Sequence, residues 1–558
     1  MNCLSPRRLR LAFALIVPAL AMADGVTADD HISTSGLTDT VVQSVAFDDE
    51  ASDVIDLSQP VAETEAAVTE ETVSPVEATP SMIQPVVSYS EIAPVACNCP
   101  CPPTKCCTKD DKAAATAAMK SAYAGLFYAN NFSYLTDPCY DGPSFCGEPL
   151  KDIKTDFGTW SFGGETRFRY HNERNHRGVG ITGRDDNFWL YRQRLYADWK
   201  LNDCLRVYAE GLHAESYGET FNPRPIEEND FDIQNLFVDV KLLDEDCGKL
   251  VARVGRQELL YGAQRTVSPL DWANTRRTFE GVRLLYQNND TSLDAFWTEF
   301  VPVDPDDADE SDNNRQFYGT YLTQKNTAVG QVEGYYLGFD NTTTNFSYHT
   351  VGSRVSCKTD SGMLYDFEGA FQFGDNTTSE DHSAGFFTLG VGRKIETDFL
   401  SPLVWFYYDY ASGEDDFGDV GRGDGGFDHL FPLAHKYNGF MDLFGRRNLH
   451  DINVFTATPL GSKVTMIFWY HYFLLVEDTT PYSVVMTPYN TASAAGDREL
   501  GHEFDVLFNI NLDPRNNILL GYSHFAAGDY YDTTANLPTG VDTDADADFF
   551  YAQFQTRY

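Results

Sequence analysis

The most constraining feature of this chain is a two-residue rhythm that begins near Gly158 and runs to the C-terminus. In Asn187–Leu201, Trp189, Tyr191, Leu195, Ala197 and Trp199 fall on one face. Arg192, Arg194, Tyr196, Asp198 and Lys200 fall on the other. Successive side chains of a strand point to opposite sides, so such a segment has one apolar and one charged face. In Thr159–His171, Phe162, Thr166, Phe168 and Tyr170 oppose Glu165, Arg167, Arg169 and His171, and in Leu205–Gly211, Leu205, Val207 and Ala209 oppose Arg206, Tyr208 and Glu210. Eighteen segments of this kind are legible, near 158–171, 187–201, 204–216, 233–243, 249–260, 280–288, 291–299, 316–324, 329–340, 344–358, 362–374, 384–397, 401–411, 448–457, 462–476, 501–511, 516–526 and 547–558.

The connections alternate in length. Asn202–Cys204, Asp244–Gly248, Asn288–Asp290, Gln324–Ala328, Thr359–Ser361, Asp398–Leu400, Pro459–Ser462 and Leu512–Arg515 are short; 172–186, 217–232, 261–279, 300–315, 412–447, 477–500 and 527–546 are long. The connection near Asn341 is short where a long one is due. Short turns on one rim and long loops on the other describe an antiparallel transmembrane β-barrel of about eighteen strands in a bacterial outer membrane. A soluble many-stranded sandwich has no reason to alternate in this way. The final DFFYAQFQTRY keeps the rhythm and ends on an aromatic residue.

Composition agrees and excludes other classes. Mean hydropathy is −0.35, as expected when half of each strand faces water. After the first 25 residues there is no apolar run long enough for a helical span. An aromatic fraction of 14 % is too high for a wholly disordered chain and fits interfacial girdles. A net charge of −42 excludes a general nucleic-acid binder, which needs a basic surface.

Before the barrel the composition changes twice. Arg7, Arg8 and Arg10, the apolar Leu11–Leu20 and the small-x-small Ala21–Ala23 read as a signal peptide over 1–23, of the general export type in preference to a twin-arginine one. Residues 24–96 have no Lys or Arg and almost no aromatic residue, and so read as a disordered acidic linker. Residues 97–157 form a Cys-rich periplasmic segment. Cys97, Cys99, Cys101, Cys106 and Cys107 have no nearby His and no zinc-type CxxC pairs, which favours disulfides over a metal. The Ala-rich 110–130 predicts a short helix, and Cys139 and Cys146 are close enough to pair. Cys204 and Cys247 fall in short turns on one rim and form a further candidate pair.

The charged strand faces carry the chemistry. Arg167, Arg169, Arg192, Arg194, Arg206, Arg253 and Arg283 oppose the apolar side, and an arginine facing lipid costs about 2–4 kcal/mol at the midplane. They are therefore expected in the lumen, where the guanidinium fork matches carboxylates. Fifteen of the barrel's 24 Arg lie between Arg167 and Arg283, which makes one side of the wall arginine-rich. Glu165, Asp198, Glu210 and Asp239 share those faces, so a ladder of ion pairs competes with a free anion-attracting strip. Three acidic stretches, Asp304–Asp312, Glu414–Asp428 and Asp542–Asp548, are candidates for Ca²⁺. The last lacks the Gly and Glu of an EF-hand at Ala547 and Gln553, and hydrated surface loops are the favoured reading. No catalytic constellation stands out, so no enzyme is expected.

The stretch Gly255–Arg265 (GRQELLYGAQR), with Asp271–Asn274 (DWAN) and Arg276–Arg283 (RRTFEGVR), resembles the alginate-export (AlgE-like) outer-membrane family, as do Trp189–Trp199 and Phe168-Arg169-Tyr170. The resemblance covers about 155–558 and is strongest before about 290. It implies a monomeric eighteen-stranded barrel with an arginine-lined pore for an anionic exopolysaccharide. It also implies that 256–283 folds inward to constrict the pore, which adds Arg256, Arg265, Arg276 and Arg277 to the pore-lining set. The expectation is an outer-membrane channel passing an anionic polysaccharide or another anionic solute by electrostatic guidance, with periplasmic secretion partners. A solute-uptake porin and a structural or adhesive surface barrel are the rivals.

Overall fold

The computed structural model describes residues 107–558 apart from 179, 246–247, 398–399, 422–424, 490–496, 534–535 and 538–544. The signal peptide, the acidic linker, Cys97, Cys99, Cys101, Cys106 and Cys247 lie outside the described residues. After a short strand β1 (Ile153–Thr155), eighteen strands follow in chain order. They are β2 (Gly158–Arg174), β3 (Asp186–Asn202), β4 (Leu205–Tyr217), β5 (Asn229–Glu245), β6 (Gly248–Gln257), β7 (Thr278–Asn288), β8 (Thr291–Val301), β9 (Asp312–Thr327) and β10 (Gly330–Asn341). Then come β11 (Phe346–Lys358), β12 (Met363–Asp375), β13 (Asp381–Lys394), β14 (Leu403–Ala411), β15 (Leu449–Pro459), β16 (Val464–Leu475), β17 (Glu499–Asp513), β18 (Asn516–Ala527) and β19 (Ala547–Arg557). Each pairs antiparallel with the next. β19 closes on β2, with Gln553 opposite Arg169 and Phe554 opposite Phe168. The result is a closed eighteen-stranded barrel without a free edge.

The alternation predicted on β3 holds along its length: Leu190, Arg192, Arg194, Tyr196 and Asp198 are buried inside. Phe162, Phe168, Trp189, Leu195, Val238, Val254, Trp297, Phe371, Leu389, Phe406 and Phe554 face outward and are exposed, as a lipid-facing belt requires. Trp189 and Trp199 lie near opposite ends of β3. Their ten-residue separation is about 33 Å of strand, and a tilt of about 40° reduces it to about 25 Å, the height of an outer-membrane apolar band.

Both barrel termini and the short turns share one rim, which is the periplasmic one by the length rule. The long-loop rim has two short connections, 342–345 near Asn341 and also 376–380.

The segment before the barrel contains helix α1 (Lys109–Lys120), whose Thr108 and Asp111 form a capping box. The expected Cys139–Cys146 pair is not formed. Helix α1 buries Ala115 and Met119, and Met119 packs with Tyr123, Phe132 and Tyr134. This brings Cys107 to Cys139, with Cα atoms 5.4 Å apart, and the two are bonded. Cys146 stays a free, exposed thiol. Cys204 is disulfide-bonded.

Candidate pore constriction

Between β6 and β7 the chain turns into the barrel. Residues 258–277 are buried almost throughout although they belong to no strand. The turn uses left-handed backbone at Gly262, Gln264 and Leu270. At Gly262 a side chain would collide with Tyr321 and Glu333 of the facing wall, so this position needs glycine.

The loop bridges the lumen. On the β2–β3 side, Arg167 Nη1 donates to the Asp271 carbonyl at 2.6 Å and Arg169 Nη1 to the Trp272 carbonyl at 2.7 Å. Arg192 donates to Glu165 at 2.6 Å and to the Asp271 carboxylate, which also accepts from Arg276. Asn274 Nδ2 donates to the carbonyls of Tyr191 (2.8 Å) and Glu227 (3.0 Å). Across the lumen, Arg265 is bound by Asp366 at 2.7 Å and Glu368 at 2.8 Å, both on β12. Tyr261 stacks on Tyr321 of β9 with centroids 4.9 Å apart.

The inward-facing arginines divide into two groups. Arg192, Arg194, Arg206, Arg253, Arg265, Arg276 and Arg283 each meet a carboxylate: Glu165, Glu210, Asp198, Asp239, Asp366, Glu258 and Asp294 respectively. Among the described residues Arg167, Arg169 and Arg277 have no carboxylate partner. They bind backbone carbonyls, and Arg169 also the Gln553 side chain. Arg256 departs from the expectation that it lines the pore. On β6 it is in register with Leu236 and Glu280, both exposed on the outer face. Its guanidinium donates outside the lumen to the carbonyls of Ile233 and Asp309. The reason is the two-residue period: Arg253 points inward, so a residue three places on cannot.

A second inward loop, 434–448, covers the neighbouring wall of β16–β18, which joins β2 through β19. Phe440, Leu443 and Phe444 are buried in an apolar cluster with Trp469, Phe473, Leu507 and Phe525 of β16–β18. Nearby inward positions are acidic: Asp409, Asp451, Glu503 and Asp505 are buried, with Arg446 on Asp409 and His471 on Asp451. Sequence reasoning missed this wall. Its signal was the same as for the arginines, a charge at inward strand positions. Between the two loops lies a cavity of about 570 Å³, bordered by Arg169, His171, Arg224, Trp272, Asp442 and Tyr489.

Residues 122–151 enter the periplasmic mouth, which the sequence did not indicate. Phe127 and Tyr128 pack on the inward Tyr196, Tyr208 and Phe237, and Tyr128 Oη donates to the Glu258 carbonyl of the constriction loop at 3.0 Å.

The acidic stretches behave variously. In Asp304–Asp312 the carboxylates accept turn amides, as Asp309 does from Asp304 N at 2.7 Å. Glu414 is buried against Arg447. Residues 422–424 and 541–544 lie outside the described residues. Among the described residues, the His213, Glu215 and Asp230 ligand atoms alone come within one ion's reach as a group of three or more.

Comparison with known proteins agrees with the architecture. The chain is similar to OccAB1 of Acinetobacter baumannii, at 12 % identity and a TM-score of 0.51 over 73 % of this chain and 99 % of that one. It is also similar to OccK8 (OprE) of Pseudomonas aeruginosa, at 13 % identity and a TM-score of 0.50 over 72 % and 98 %. At such identities the likeness is one of fold. No curated protein sequence matches the chain. The family model for alginate export matches residues 159–537, well over half of the chain and nearly all of its barrel. With its closed barrel, lipid-facing belt and inward loop, this protein belongs to the alginate-export family of outer-membrane β-barrels.

Proposed function

We propose that the protein passes an anionic polysaccharide, or another anionic solute, along the arginine side of its constriction. The observation that carries this reading is the trio Arg167, Arg169 and Arg277, buried beside the inward loop and satisfied only by neutral acceptors. Beside the β2–β4 wall six buried arginines (Arg167, Arg169, Arg192, Arg194, Arg276, Arg277) accompany four buried acids (Glu165, Glu210, Glu258, Asp271), so arginine outnumbers acid on this side. A carbonyl is a weaker partner for guanidinium than a carboxylate, so a passing uronate has something to gain there. The low-dielectric wall strengthens that attraction, and salt in the lumen screens it. Each contact is one of several, so a polymer can step from one to the next without being trapped. Transport is electrostatic guidance without a chemical step, with delivery from periplasmic secretion partners.

Purified protein in planar bilayers tests this. Anion selectivity and block by a polyuronate are expected, and Arg167→Gln with Arg169→Gln should lower both. Cation selectivity without block would sink the proposal. Anion selectivity with no polyuronate effect would favour a solute porin, and absence of any conductance a structural or adhesive role.

A further inference from the structure

We infer that residues 122–151 are a built-in gate on the arginine side of the periplasmic mouth, occupying the groups that an anion arriving from the periplasm would meet first. The segment docks on one sector only. Its contacts run from the β17–β18 turn through β19 and β2 to β6, eight of the eighteen strands. This is the end of the wall where arginine concentrates.

Its contacts imitate a bound anion. The Tyr128 carbonyl accepts from Arg206 Nη2 at 2.7 Å, and the Tyr123 carbonyl from Arg557 Nη1 at 3.4 Å. The Glu148 carboxylate takes Arg515 Nη2 at 3.0 Å, with both side chains buried. The Phe127 ring covers the Arg194 guanidinium at 3.9 Å, and the Tyr128 ring covers Arg253 at 4.4 Å. With the segment in place, these arginines are shielded from the mouth.

The segment is also built to leave as a unit. Its backbone hydrogen bonds close on itself, as in Asn131 N to Ala122 O (3.0 Å) and Asp137 N to Tyr134 O (3.1 Å). Among the described residues none joins the backbone of 107–151 to that of the wall. Undocking therefore breaks no main-chain-to-main-chain hydrogen bond, and the Tyr123 and Tyr128 carbonyls that lose arginine partners reach water at the mouth. The Cys107–Cys139 bond holds the unit together, and β1, hydrogen-bonded to the start of β2, tethers it at the rim. The joint is not packed like a core, since a cavity of about 250 Å³ remains between Phe127, Phe132 and the wall residues Tyr196 and Lys200.

Full-length protein in planar bilayers with KCl alone tests the gate. The double variant Phe127→Ala/Tyr128→Ala should conduct roughly two- to threefold more than wild type, since conductance follows the open cross-section. Glu148→Gln should give a smaller rise. Wild-type traces should show closures from the variant's level. Equal conductance in wild type and the double variant would overturn the inference. If the double variant does not insert, equality of Glu148→Gln with wild type does the same. No polyanion is present, so this reading is independent of the anion proposal. A raised conductance without polyuronate block would remove the anion reading and leave the gate standing.

Discussion

Two walls of the same lumen each receive an inward loop, and they hold it by different means. The β2–β6 wall grips 258–277 with guanidinium–carboxylate and guanidinium–carbonyl contacts. The β16–β18 wall grips 434–448 with packed rings and aliphatic side chains. An apolar joint excludes water and stays closed. An ionic joint can exchange one partner for a passing anion, which offers the guanidinium the same kind of charge-assisted contact. On the proposed function, the route for a solute runs along the arginine side, and the apolar side is scaffold.

The largest effect should come from breaking the ionic joint at its hub. Asp271→Ala leaves Arg192 and Arg276 without their shared carboxylate and should cost about 3–5 kcal/mol of loop stability, read as higher, noisier conductance and stronger anion selectivity. An unchanged channel would mean that the loop is held elsewhere.

Phe444→Ala should lose a similar 3–5 kcal/mol by cavity formation beside Phe473 and Phe525. It should lower the denaturant midpoint in lipid and leave ion selectivity as it was. A selectivity change would place the solute path on the wrong side.

A smaller effect concerns the docked segment. Burial alone would raise the Glu148 carboxyl. Hydrogen bonds from Tyr134, Ser144 and the Phe145 amide, together with Arg515, instead hold it down at about 2. The folded value lies below the ordinary 4.5, so the stabilisation is complete above about pH 4.5 and is lost as pH falls toward 2. Hydrogen exchange in 122–135, corrected for intrinsic rates, should rise over that window, and Glu148→Gln should abolish the rise.

The smallest effect should be at Arg256, which lies on the outer face. Arg256→Gln should change stability by no more than about 0.5 kcal/mol and leave selectivity unmoved. A clear selectivity shift would return it to the lumen.

The strands were legible because lipid and water enforce a period of two at every position. All eighteen segments read from the sequence recur with ends shifted by a few residues. The same period identified Arg167, Arg169, Arg192 and Arg194 as inward. Arg256 was misplaced because it was assigned through the inward-folding stretch and not through its own strand register. The acidic wall was overlooked because Asp409, Asp451, Glu503 and Asp505 are scattered over β14, β15 and β17, and only closure of the barrel makes them neighbours.

The sequence by itself determined the membrane barrel, its strand count, the lipid-facing belt and the arginine-rich sector, since each follows from local alternation against two solvents. Only the tertiary structure decided which arginines keep a carboxylate, that 434–448 seals one wall, and that 122–151 occupies the mouth. Those contacts join residues up to hundreds of positions apart, such as Arg515 with Glu148. No local pattern encodes them, because the partners become adjacent only once the sheet has closed and the loops have turned inward.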